Sequence, residues 1–362
     1  MPNMHDYVEW RGDIPLSAMP MSDVDNLVLA TLSFINFEGI ISPSHDEEPV
    51  LLSDAAERFF EDEEKANENY GFIFPTKDFM KLLSAAAASE RFKNIGVSAY
   101  VNKIDYEGVE QFSATTFTLP DKSIYVAFKG TDDNIVAWKE DFLLSYTFPI
   151  KAQKSALSYL EQAASRSEGK IYVGGHSKGG NLAFYSSAYA SDSTKERIAK
   201  AWSNDGPGFY RRIVAGENYS SVKDRFVSIL PEDSVIGRLF DNEASKEIIM
   251  KAEGKGLLQH NPFLWQIKGG DFIRAEKFTD DSTVVRRAFR KYLSEIDGKG
   301  REDFVSAFFS LLEASEAKTL TDLAKDGFIS IPTSLKTIGG LTKEQREMLR
   351  SFVAFLAALP VK

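Results

Sequence analysis

Lys170-Ile171-Tyr172-Val173-Gly174-Gly175-His176-Ser177-Lys178-Gly179-Gly180 decides how this chain is read. Residues of strand character run into a glycine-rich turn, and the pattern from Asn181 to Ala190 is helical. Within the turn, Gly175-x-Ser177-x-Gly179 has the spacing of a nucleophile elbow, where a serine on a sharp strand-to-helix bend holds its hydroxyl clear of the sheet. Glycine is needed two residues to either side because a side chain there would collide with the strand or the helix. The helix N-terminus faces the site, and the backbone N–H of Lys178 is positioned to stabilise an oxyanion. The pentapeptide alone would occur by chance in roughly one chain in ten of this length. Its place between an apolar strand and a helix singles it out. A serine that merely caps the helix of a βα turn is the plainer alternative.

A serine nucleophile needs a general base, usually histidine, oriented by a carboxylate. The four histidines are His5, His45, His176 and His260. His5 falls in a terminus expected to be mobile, and His45 in a polar loop with Pro43 and Ser44. His176 is expected to point away from Ser177 and to pack or hydrogen-bond below the turn. His260 remains as base, ahead of Asn261-Pro262-Phe263 and after the serine in the order Ser…Asp/Glu…His. The acid should follow a strand between the two. The strand Arg225–Leu230 and the loop Pro231–Gly237 make Asp233 the choice, with Glu232 the near alternative. Asp205, in Ser203-Asn204-Asp205-Gly206-Pro207-Gly208, also follows a strand and is the main competitor. A second oxyanion donor is expected where Tyr125–Phe128 runs into Lys129-Gly130-Thr131, with Thr131 offering its backbone N–H and its hydroxyl to one oxygen.

Outward from the elbow, strands at Val97–Ile104, Val109–Leu119, Ser123–Phe128, Ala199–Ser203, Arg225–Leu230, Glu247–Lys251 and Leu264–Ile267 alternate in part with helices such as Ala152–Arg166. This pattern predicts an α/β class chain with a mostly parallel central sheet. Residues 1–94 read as helices that cover the sheet, opened at Ser22 by a capping box with Asp25. Beyond Thr279 the strands stop, and Ser282–Ile296, Glu302–Ala317 and Thr342–Leu359 read as amphipathic helices. The expected division is a hydrolase domain over 1–280, comprising a helical layer 1–94 and a sheet core 95–280, followed by a helical appendix 281–362. Phe304, Val305, Phe308, Phe309, Leu311 and Leu312 suit either an apolar lid or plain core.

The chain has 362 residues, 43% apolar and 27% charged, and a formal net charge of −10. That charge argues against a general nucleic-acid footprint. There is no cysteine, which removes disulfides, thiolate metal sites and cysteine nucleophiles. The first residues carry no basic leader and no apolar run of secretory type, and the longest apolar run is too short to span a bilayer. A cytoplasmic chain without a membrane span is expected, and contact with a membrane surface stays open. Oligomeric state is not specified by these patterns. The chemistry read here needs no metal and no organic cofactor.

Val126-Ala127-Phe128-Lys129-Gly130-Thr131, Trp138, Asp141 and Gly175-His176-Ser177-Lys178-Gly179-Gly180 resemble the pattern of class 3, fungal-type lipases. Tyr7-Val8-Glu9-Trp10-Arg11-Gly12-Asp13, Pro231-Glu232-Asp233-Ser234 and Gln259-His260-Asn261-Pro262-Phe263-Leu264-Trp265-Gln266 bring the chain closer to the Mbeg-like family of bacterial α/β-hydrolases. That resemblance implies an α/β-hydrolase fold with Ser177 as nucleophile, Asp233 as acid, His260 as base, and Thr131 and Lys178 in the oxyanion hole. Where class 3 lipases usually carry leucine after the nucleophile, this chain has Lys178, and Lys129 replaces their usual arginine. A lysine at the mouth would favour an anionic or polar substrate; a solvated surface lysine is the duller reading. The function expected is hydrolysis of a carboxylic ester, with a lipid or medium-chain acyl ester the leading substrate class. The alternatives are a thioesterase or peptidase with the same triad, or a non-catalytic scaffold that binds a ligand or partner.

Overall fold

A computed structural model describes residues 1–70, 74–132, 134–313 and 319. Eight strands form one sheet in chain order: β1 Val50–Leu51, β2 Gly96–Asp105, β3 Glu110–Thr118, β4 Ile124–Phe128, β5 Ile171–His176, β6 Ile198–Asn204, β7 Phe226–Pro231 and β8 Lys246–Met250. The pairings β1 to β4 are antiparallel and those from β4 to β8 are parallel. The chain is thus of α/β class with a mostly parallel sheet. The segment Leu264–Ile267 departs from its expected strand. It is a 3-10 turn, Pro262–Leu264, followed by a two-residue strand β9, Ile267–Lys268, which pairs with β10, Asp271–Phe272. Pro262 has no N–H to give a ladder, and Asn261 caps the turn through its side chain.

Alternation along β4 divides the interior into two cores. Ile124, Val126 and Phe128 join Leu160, Val173, Leu182 and Phe184, which come from β5 and the helices Lys151–Ser165 and Lys178–Tyr189. Tyr125 and Ala127 join Trp202, Leu27, Val28, Phe59 and Phe79 on the other face. Those last four belong to the helices Asp23–Leu32, Leu52–Phe60 and Thr76–Ala88. Both faces are covered, which is why the central strands are apolar at nearly every position.

Helix Asp23–Leu32 starts where Ser22 and Asp25 exchange side-chain and backbone hydrogen bonds in a capping box. Every residue from Val24 to Leu32 is buried. Each fully buried leucine or valine there contributes about 1.5–3 kcal/mol of transfer free energy. Asp25 also takes a two-pronged ion pair from Arg91, at 2.7 and 2.5 Å, with both side chains fully buried. Arg91 further donates to the carbonyls of Ile14, Met19 and Pro20, and Tyr7 donates to Asp25. One guanidinium therefore ties three stretches of the N-terminal layer together.

A helix over Met4–Arg11, capped by Asn3, stands where a mobile terminus was expected. His5 is buried and stacks on Phe263 at 5.2 Å, so the apolar ring contact orders the segment. After β10 the chain forms helices Asp280–Glu295 and Gly298–Glu313. Val305 and Phe309 are buried, with the Phe309 ring 5.5 Å from that of Phe142. The side chains of Phe304, Phe308, Leu311 and Leu312, and the expected helix Thr342–Leu359, lie outside the described residues.

Candidate functional site

The five parallel strands β4 to β8 deliver their carboxyl ends to one edge of the sheet, the usual place for a site in such a sheet. β5 ends at His176, and Ser177 follows with φ +58° and ψ −131° at the N-cap of helix Lys178–Tyr189. This is a left-handed conformation that costs a non-glycine residue of order 1–3 kcal/mol and persists only where its surroundings impose it. They do so here by close packing. A Cβ on Gly175 would sit 2.3 Å from the backbone of Gly179, and one on Gly179 would sit 2.0 Å from the carbonyl oxygen of Phe128. The Ser177 N–H donates to the Asn204 carbonyl at 2.9 Å, and the Asn204 side chain donates to the Gly175 carbonyl at 3.0 Å. Asn204 thus grips the elbow on both sides. Asn26 of the N-terminal layer donates to Asn204 at 2.9 Å.

His260 closes a 3-10 turn, Gly256–His260, and is held from several directions. Its ring Nδ1 lies 2.7 Å from Asp205 Oδ2. Its carbonyl accepts from His176 Nε2 at 2.8 Å. Trp265 Nε1 donates to the carbonyl of Gln259 at 2.8 Å, while Gln259 Nε2 donates to the carbonyls of Ala252 and Gly254. His176 is buried as expected of a side chain below the turn. Its donation to a carbonyl means that Nε2 carries the proton. Burial, reinforced by the neighbouring His260, holds its pKa well below the usual value, so the ring is neutral.

The carboxylate that meets His260 is Asp205, not Asp233. Asp205 follows β6, the strand paired with β5, and so emerges one strand away from Ser177. It has φ +50° and is fully buried, and its Oδ1 accepts from Ser234 Oγ at 2.5 Å and from the Gly237 N–H at 3.2 Å. Asp233 is committed elsewhere. Its carboxylate accepts from the Gly256 N–H at 2.6 Å and from the Thr279 hydroxyl, and its own N–H donates to Gln259 Oε1 at 2.9 Å. It secures the loop that carries His260 without reaching the ring. The N–H of Glu232, the other near alternative, donates to the carbonyl of Met250 in the β8 ladder.

Thr131 lies beside the elbow: a Cβ on the preceding Gly130 would be 3.0 Å from the Cβ of Ser177. Its hydroxyl is not free for an oxyanion, because it donates to Asp141 Oδ2 at 2.5 Å. Only the backbone N–H remains for the expected role. Asp141 Oδ1 is buried without a partner among the described residues, and burial pushes the carboxyl pKa up to about 6, against the pull of Lys178 and the Thr131 hydroxyl.

Lys178 overturns both readings of its side chain, since it is neither at a mouth nor solvated. Nζ is buried and donates to the Gln111 carbonyl at 2.9 Å, to Gln111 Oε1 at 2.7 Å and to Glu140 Oε2 at 3.0 Å. Glu140 in turn accepts from the N–H groups of Gln111 and Ala152. The backbone N–H of Lys178 is among the first amides of its helix, which lack intrahelical acceptors. Asn204, Ser234, Gly237 and Glu140 were not anticipated. Only Asn204 could have been, because it immediately precedes a candidate acid at a strand end.

A family model described as Mbeg1-like matches residues 86–310. This chain belongs to the Mbeg1-like family. The match includes the elbow, Asp205 and His260 of this Mbeg1-like chain, and it agrees with the resemblance read from the motifs. No curated protein matches the Mbeg1-like chain. Similar solved structures include a native Rhizomucor miehei lipase propeptide complex, with 16% identity, TM-score 0.34, and coverage of 46% of this chain and 58% of that one. The matched part thus spans less than two thirds of that lipase. An M37 lipase matches with 13% identity and TM-score 0.37, over 60% of this chain and 70% of its own. Among the described residues no helix is long and apolar enough to cross a membrane, and no group of three or more acids and histidines could hold a metal ion.

Proposed function

We propose that this chain is a serine hydrolase of α/β-hydrolase type that cleaves carboxylic esters, with Ser177, His260 and Asp205 as its triad. The observation that carries this reading is the 2.7 Å contact of His260 Nδ1 with Asp205, at the same sheet edge as a serine held at φ +58°. Nδ1–H facing a buried carboxylate leaves Nε2 as the ring's basic nitrogen. Ser177 Oγ attacks the carbonyl carbon while Nε2 takes its proton, and the imidazolium returns that proton to the leaving alcohol. Water then attacks the acyl-enzyme, Nε2 takes its proton, and Ser177 Oγ receives it as the acid departs. Asp205 fixes the tautomer and supports the charge. The backbone N–H groups of Lys178 and Thr131 stabilise the oxyanion.

The substrate class we favour is a lipid or medium-chain acyl ester, with residues 281–362 as an appendix to a hydrolase domain over 1–280 and a candidate lid. The buried Val305 and Phe309 near Phe142 support a docked appendix.

Labelling with a fluorophosphonate tests the chemistry. Wild type should label and Ser177→Ala should not; labelling that ignores this substitution ends the proposal. Asp205→Asn should lower ester turnover by about 10⁴-fold, as loss of the correct tautomer does elsewhere. Asp233→Asn should act on stability instead of on the proton relay. The reverse ranking would return the acid to Asp233. Matched oxyesters, thioesters and amides assign the preferred acyl bond.

A further inference from the structure

The turn Ile236–Arg238 and its continuation to Asp241 follow the loop that serves Asp205, and helix Asp280–Glu295 packs beside them through the rings of Phe240 and Phe289, 5.2 Å apart. Arg238, Arg286 and Arg290 gather there. In a chain of net charge −10 this is a local reversal of sign. Among the described residues Asp241 is the one carboxylate in ion-pair contact with them, shared by Arg286 at 3.9 Å and by Arg290 more closely.

Among the described residues Arg238 makes no ion pair, although it is only 9% exposed. One terminal nitrogen donates to Ser282 Oγ at 3.0 Å and Thr283 Oγ1 at 3.2 Å, and the guanidinium lies 4.0 Å from the centroid of the Phe278 ring. The Nε–H groups of Arg238 and Arg286 are both buried with no acceptor among the described residues. Burial, with Arg286 and Arg290 adding to it, lowers the Arg238 pKa, and Glu247 opposes this from beyond ion-pair distance. A native fold seldom leaves buried donors unmet or buried cations unbalanced, and each such group calls for an explanation.

We propose that Arg238, Arg286 and Arg290 bind a phosphate group, carried by a soluble phosphomonoester or by an anionic lipid headgroup. A phosphate supplies several acceptor oxygens for the two orphaned Nε–H donors, and guanidinium forks match its geometry. Three guanidiniums less the charge of Asp241 leave two positive charges, which a dianion balances. The site shares its loop with the candidate acid, since Ser282 Oγ donates to the Ser234 carbonyl and Ser234 Oγ donates to Asp205. Binding itself does not depend on the hydrolase reading.

Two binding measurements on the full chain test it without any turnover assay. Calorimetric titration uses inorganic phosphate and glycerol 3-phosphate. Co-sedimentation uses phosphatidylcholine vesicles with and without phosphatidic acid. We expect saturable binding in at least one arm, with the responding arm naming the carrier, and weakening of about tenfold or more in Arg290→Gln and Arg238→Gln. Arg287→Gln, at an exposed position of the same helix, should bind like wild type. Arg290 is half exposed, so its variant keeps the test alive if Arg238→Gln misfolds. Absence of saturable binding in both arms overturns the site. So does an Arg287→Gln loss equal to that of Arg290→Gln, which would mean diffuse charge attraction.

Discussion

Ser177 holds φ +58° and ψ −131° because Gly175, Gly179 and the Phe128 carbonyl leave the turn no other path. Glycine would occupy that conformation without strain, against some loss to a freer unfolded chain. Ser177→Gly should therefore raise stability by about 1 kcal/mol in urea unfolding while abolishing fluorophosphonate labelling. Asp141 carries the second residue-scale prediction. Its folded carboxyl keeps its proton up to about pH 6, whereas the unfolded group releases it near pH 4. Unfolding then sheds a proton within that window, so wild-type stability falls as pH rises through it. Asp141→Asn can still accept from Thr131 but does not titrate. Its stability relative to wild type should climb between pH 4 and 7 and level off above, as paired urea curves will show. A constant difference would mean an ordinary Asp141.

The elbow helix is anchored at its first residue by a buried ion pair, which is a property of elements rather than of the motif. Lys178 Nζ joins β3 to the helix Ile135–Leu143 through Gln111 and Glu140, and Glu140 also caps the Lys151–Ser165 helix at Ala152. Removing one member of such a pair strands the other charge in the interior. Lys178→Met should cost about 3–5 kcal/mol in chemical denaturation, and Glu140→Gln added to it should recover part of that loss. A loss below about 1 kcal/mol would mark a solvated lysine. The sequence reading placed β2 to β8 within a residue or three of their observed bounds. It missed the helix that supplies Glu140, and so had no partner to bury Lys178 against.

Across the whole molecule, the N-terminal layer belongs to the site as much as the sheet does. Asn26 reaches the elbow through Asn204, and the layer itself depends on the fully buried Asp25–Arg91 pair. Arg91→Met should destabilise the chain by about 3–5 kcal/mol. Limited proteolysis should then cut within residues 1–94 before the sheet core; cleavage spread evenly along the chain would show that the pair does not hold the layer. Helices with an apolar stripe and a Ser22–Asp25 capping box were legible here because both signals are local. The pairing of Asp25 with Arg91 was not, since 66 residues separate them.

The order of strands β2 to β8 and the strand-to-helix turn at Ser177 were legible in the sequence alone, and the scarcity of histidine put His260 forward as the base. Alternation, glycine spacing and the scarcity of histidine are all readable one residue after another. Which acid meets His260 was decided only in three dimensions. Asp205 and Asp233 both follow strands between the serine and the histidine, and nothing local distinguishes them. The pairing of β6 with β5 brings Asp205 to the imidazole, while Gly256 and Thr279 occupy the carboxylate of Asp233. The same holds for Lys178 and for the three arginines. Whether a charge is solvated, paired or left waiting for an anion depends on which distant segments fold against it.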